Sequence, residues 1–137
     1  MSKTEDRHEA ERWLATAADD LQVARVVAAG GHHAHACFHA QQAAEKAVKA
    51  LWRLAGREPW GHSVQKLLMD LPQAGGPQCP APLLQAAAAL DRLYIPTRYP
   101  NGLPDLTPAQ SFFEADSVAA FAKAGQILDY VSAILNR

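Results

Sequence analysis

Phe38-His39-Ala40-Gln41-Gln42-Ala43-Ala44-Glu45-Lys46-Ala47-Val48-Lys49-Ala50-Leu51 carries the most regular pattern in the chain. Ala40, Ala44, Ala47, Val48 and Leu51 recur at helical spacing, which gives one small, apolar face. Gln41 starts a polar side on which Gln42, Glu45, Lys46 and Lys49 stand at i, i+3, i+4 and i+7. That order predicts a helix, with Glu45 and Lys49 in the favourable i, i+4 sense for an ion pair. Taken alone, a stripe of this kind is ordinarily a solvated helix surface.

The same period extends over about 33–55, from Cys37 to Ala55, and Gly56 stops it. Before it, Leu14, Ala17, Ala18, Leu21, Ala24 and Ala28 mark another helix over about 5–29. Acids crowd its start (Glu5, Asp6, Glu9, Glu11), where the helix dipole favours them. Only Gly30-Gly31 separates the two, so they should form an antiparallel hairpin whose alanine-rich faces let the backbones come close. After it, Val64, Leu67, Leu68 and Leu71 predict a short helix over about 63–71, closed by Pro72 and Gly75-Gly76-Pro77. A fourth helix should start near Pro82, show Leu83, Ala87, Leu90 and Tyr94, and end at Pro96. Four prolines then make 96–108 a rigid loop without helix. Thr107 reads as an N-cap, with Pro108 at the first helical position and Gln110 completing a capping box. The last helix, with a break near 111–115, carries Phe121, Ala124, Ile127, Leu128, Val131, Ile134 and Leu135. The expected architecture is all-α, an up-and-down bundle of about five helices in one domain over 1–137.

Composition narrows the function classes. Formal net charge is −1, so no global field draws the chain to nucleic acid or membrane, and any polyanion site must be a local patch. Cys37 in an apolar helix and Cys79 between loop prolines suggest a reduced compartment, and hence the cytoplasm. No basic segment followed by an apolar run opens the chain, and no apolar run reaches the ~20 residues of a membrane span.

Two further groups could carry chemistry. His32, His33, His35 and His39 gather at the start of the second helix, and His35 and His39 are one turn apart. Apart from Cys37, on another face, no third ligand offers itself nearby, so neither a metal site nor a cofactor is expected. The run Tyr94-Ile95-Pro96-Thr97-Arg98-Tyr99-Pro100 holds an arginine between two prolines and two tyrosines. Its guanidinium suits phosphate or carboxylate through paired hydrogen bonds. It could equally be a structural arginine that caps carbonyls and packs the loop.

The run from Phe38 to Leu51 resembles the signature helix of the HEPN family. Trp13-Leu14 with Asp20-Leu21 resembles the first helix of that family, and His62-Ser63 with Leu67-Leu68 its short third helix. Tyr94-Ile95-Pro96-Thr97-Arg98-Tyr99-Pro100 resembles the segment before its last helix, and Asp116 with Ala124 the start of that helix. The resemblance implies a bundle that dimerises, with a cleft at or near the interface for nucleotide or RNA. It also implies a minimal nucleotidyltransferase as partner, often in a toxin–antitoxin-like pair. The binding residues carried over by position are Gln42, Glu45, Lys46, Lys49, Arg98 and Tyr99.

The chain departs from the family in one place. HEPN ribonucleases carry Arg, four to six residues, then His at the head of the last helix, because a base must activate the ribose 2′-hydroxyl while a cation holds the phosphate. Counted from Arg98, those positions hold Leu103, Pro104 and Asp105. Arg25 with His32 and Arg57 with His62 match the bare spacing elsewhere, at the rate chance gives. The tyrosine that partner transferases modify just past the family histidine is also missing. The sequence therefore favours a binding module over a ribonuclease, and no catalytic residue is assigned. The alternatives are a metal-independent ribonuclease whose base is Asp105 or a histidine of a partner chain, and a purely structural dimeric adaptor.

Overall fold

A computed structural model describes residues 2–137. It holds six α-helices and no strand among the described residues: α1 (Lys3–Ala29), α2 (His33–Leu54), α3 (Val64–Asp70), α4 (Ala81–Asp91), α5 (Pro108–Ser111) and α6 (Glu114–Leu135). Short 3-10 turns follow α3 (Leu71–Ala74) and precede α5 (Pro100–Gly102).

The caps explain the boundaries. Ser2 Oγ accepts from the Glu5 amide, and the Glu5 carboxylate accepts from the Ser2 amide at 2.8 Å. Those bonds to the charged form hold the Glu5 carboxyl below its usual range. The α1–α2 connection needs the left-handed backbone that Gly31 adopts at φ 86°. Thr107 and Gln110 form the expected capping box. The expected break in the last helix falls at Phe112 and Phe113, whose extended backbone separates α5 from α6; the Asp116 carboxylate then accepts from the Phe113 amide at 2.8 Å. The fourth helix stops at Asp91, earlier than Pro96 suggested, and gives way to successive turns over 92–98.

The helix α2 is the hub. It packs along α1 and α6 and also meets α3 and α4. Of its 22 residues 12 are buried, most of them alanine, so partners cover it on several sides and the backbones approach closely. Around it Leu21, Leu68, Leu71, Leu90, Ile127 and Val131 fill the core. The helix α6 is, contrary to the reading of apolar runs above, long and apolar enough to cross a membrane by length and composition, with mean hydropathy 1.3. Its stripe of Ala124, Ile127, Leu128, Val131, Ile134 and Leu135 is buried in the bundle.

Both cysteines are free and buried. Burial, aided by the Asp116 carboxylate, pushes the Cys37 thiol up to about 12, and burial also raises Cys79. A thiol reagent at neutral pH should leave Cys37 unmodified in the folded protein and label it once the chain is unfolded, as mass spectrometry after alkylation would read. Because the unfolded thiol ionises first, this residue's contribution to stability declines as pH rises from the ordinary thiol range toward 12.

Candidate functional site: an arginine in an aromatic box

The turns after α4 build the site. Pro96 has no amide proton to continue a ladder, and the amides of Arg98 and Tyr99 both donate to the Ile95 carbonyl instead. Thr97 is buried, and its hydroxyl bonds back to the Leu93 carbonyl, so the segment is pinned from both sides. Arg98 Nε donates to the Tyr94 carbonyl at 2.9 Å. Its guanidinium carbon lies 4.5 Å from the Phe38 and Tyr94 ring centres and 5.0 Å from that of Tyr99. Stacking engages the faces of a guanidinium, while its hydrogen bonds radiate in its plane. The three aromatic contacts hold the group in place, and among the described residues only its Nε has a hydrogen-bond partner, which leaves its terminal N–H groups available. Among the described residues no carboxylate pairs with it, whereas Arg12 and Arg53 each have one.

Arg98 lines a cleft of about 280 Å³ together with His32, His33, His35, Thr97 and Thr107. The start of α2 forms one wall. His32 stands at the N-cap without a side-chain cap, so the residues that open this 22-residue helix line the cleft with no side-chain cap on their amides. His33 Nδ1 is 3.0 Å from the hydroxyl of buried Ser117 on α6, which ties this wall to the head of the last helix. The histidines go separate ways: His32 and His35 meet edge to face at 6.3 Å, and His39 lies against Phe38. Among the described residues no group of three or more metal-ligating side chains converges.

The polar stripe of α2 is divided. Lys46 turns to α1 and pairs with Asp20 at 2.7 Å. Glu45 and Lys49 pair at 3.2 Å on the other side, where Glu45 is only 4% exposed. Gln41, fully buried, donates to Glu45 at 3.3 Å and to the His62 carbonyl at 3.4 Å, and Gln42 donates to Gln41 at 2.7 Å. His62 Nδ1 lies 3.4 Å from the Glu45 carboxylate, and its ring stacks on Tyr94 at 5.0 Å, with 17° between the planes. A contiguous set therefore runs Lys49, Glu45, His62, Tyr94, Arg98, Tyr99. Lys46 stands apart from it, in a hollow with Glu9, Arg12, Trp13 and Thr16.

In sequence His62 belongs to the His62-Ser63 motif before the third helix and to a chance spacing from Arg57, and the fold alone reveals its neighbours. It directly precedes the N-cap of α3, and that end is fixed from α4: Asp91 accepts from the Ser63 hydroxyl at 2.7 Å and from the amides of Val64 and Gln65. A carboxylate at a helix N-terminus is favoured by the dipole and by the unpaired amides. No local pattern pairs Asp91 with Ser63, although Ser63 itself is legible as a helix start.

The sequence matches the family model described as HEPN domain over residues 10–135. Among solved structures it is similar to TT1696 from Thermus thermophilus, with 40% identity and a TM-score of 0.85, covering 90% of this chain and 96% of that one. It is also similar to ST0689, an archaeal HEPN homologue, with 37% identity, a TM-score of 0.78, and 92% and 97% covered. An HEPN domain protein from Thermotoga maritima shares 30% identity, with a TM-score of 0.72, and 92% and 98% covered. A search of curated proteins gives no match.

Proposed function

This chain belongs to the HEPN domain family, and we propose that it is a dimeric binding module which holds the phosphates of a nucleotide or RNA at Arg98. The observation that carries this reading is a guanidinium fixed by three aromatic rings and unpaired by any described carboxylate, at the mouth of a cleft walled by a helix N-terminus. Cation and helix dipole have the same sign there, and both favour an anion. With a net charge of −1, this local patch is what a polyanion would find. The module is given no catalytic step. Leu103, Pro104 and Asp105 occupy the positions for a base, and Asp105 sits on an exposed loop at φ 65°. The test is fluorescence anisotropy of a short single-stranded RNA without metal, at low and high salt. Binding that weakens with salt supports the reading. Binding of a minimal nucleotidyltransferase with no affinity for RNA would transfer the site to a protein partner.

The dimer is supported by exposed apolar residues at the end of the bundle where the cleft opens. Val26 near the end of α1 and Phe113 and Val118 at the head of α6 are 71%, 67% and 58% exposed. Covering them with a second copy would place the two clefts at the interface. Sedimentation at micromolar concentration should show a species of twice 14.8 kDa. A stable monomer would rule the dimer out, and Phe113→Glu should convert the dimer to monomer.

A further inference from the structure

His62 is unusual for a surface histidine: its side chain is 60% exposed, yet its orientation is fixed twice. The buried Glu45 carboxylate holds Nδ1, and the Tyr94 ring holds one face. Exposed histidines are ordinarily free to rotate, and their side-chain entropy opposes such fixing. Tyr94 covers one face, and the side chain as a whole stays 60% exposed. We propose that His62 is a stacking platform for an unpaired nucleobase of single-stranded RNA whose phosphate is held by Arg98. This rests on the phosphate-binding reading above.

Three features point to that ligand. Stacking on an aromatic face is open to every base and is available only where the base is unpaired. The platform and the cation share one ring, since His62 stacks on Tyr94 while the Arg98 guanidinium lies 4.5 Å from its centre. A ligand that spans the two sides of Tyr94 carries a flat aromatic group and an anion in one molecule, as a nucleotide unit does. The carboxylate behind His62 is itself buried and engaged: it takes the Gln41 amide and the Lys49 ammonium as well as the imidazole. Glu45 is therefore a positioning residue, which sets the plane of His62 without reaching the ligand.

The experiment compares a short oligoadenylate with an abasic ribose-phosphate backbone of the same length, by anisotropy or calorimetry on the full chain. In the wild type the oligoadenylate should bind roughly tenfold more tightly. His62→Ala should abolish that difference and leave abasic binding unchanged. His62→Phe keeps an aromatic face without the imidazole nitrogens, and should retain most of the difference. Arg98→Ala should weaken both ligands alike. If the difference persists in His62→Ala, or if His62→Phe loses it as fully as His62→Ala, the stacking role is overturned while phosphate binding stands. If the wild type binds neither ligand, or Arg98→Ala changes nothing, the phosphate reading falls and the platform falls with it. Circular dichroism of each variant guards against misfolding, which is not expected at a side chain this exposed.

Discussion

Arg98→Ala should lower the affinity for a short single-stranded RNA by about ten- to a hundredfold, since a charge-assisted hydrogen bond is worth ~1.5–3 kcal/mol and each 1.4 kcal/mol is about tenfold. The guanidinium has one N–H committed to the Tyr94 carbonyl, and its other N–H groups have no partner among the described residues. Arg98→Lys should recover little of the loss. A lysine restores the charge, but it neither presents two parallel donors nor offers a planar group to the Phe38, Tyr94 and Tyr99 rings. Removal of one phosphate contact should also reduce the slope of log affinity against log salt by about one. Stability should change far less than binding, because the aromatic contacts of a half-exposed cation are worth ~0.5–1 kcal/mol. Unchanged affinity and salt slope in Arg98→Ala would make the residue a packing element of the loop and remove the site.

The same residue shows why the fold is more legible than the site. Helical boundaries are set by local chemistry, and local chemistry is written in order along the chain. Gly30-Gly31, the Thr107–Gln110 box and the break at 111–115 therefore fall where the pattern places them. The site depends on contacts between elements. The spacing of Gln42, Glu45, Lys46 and Lys49 puts them on one helix, but not on one face of the molecule. The reason is that α2 is surrounded: Asp20 on α1 takes Lys46 to one side, and the segment before α3 closes over Glu45 on the other. The Glu45–His62 contact spans 17 residues, and its geometry depends on Asp91, 28 residues beyond Ser63. No periodicity carries such a relation. Arg98 is legible because two prolines and two tyrosines announce a restricted loop in sequence. That Phe38 of α2 completes its box is not.

The largest effect on stability is expected at Lys49. Its side chain is 14% exposed and that of its partner Glu45 only 5%, so this is a buried pair. Removing one member leaves the other charge without its counterion in a poorly solvated place, which costs ~3–5 kcal/mol in comparable pairs. Two donors remain near Glu45, the Gln41 amide and the His62 imidazole, so Lys49→Ala should fall at the lower end, about 3 kcal/mol. Thermal unfolding should then shift downward by roughly 10 °C for a chain of this size. The double variant Glu45→Gln, Lys49→Met removes both charges at nearly constant volume, and should regain most of that loss. Its function should not recover in parallel. Without the carboxylate, nothing charged holds the imidazole in its plane, so the preference for oligoadenylate over the abasic backbone should shrink while Arg98 still binds the phosphates. Melting curves and the two binding constants, measured on the same three proteins, separate these consequences. A Lys49→Ala variant as stable as the wild type would mean that Glu45 is well hydrated, and it would remove the reason for assigning His62 a fixed orientation.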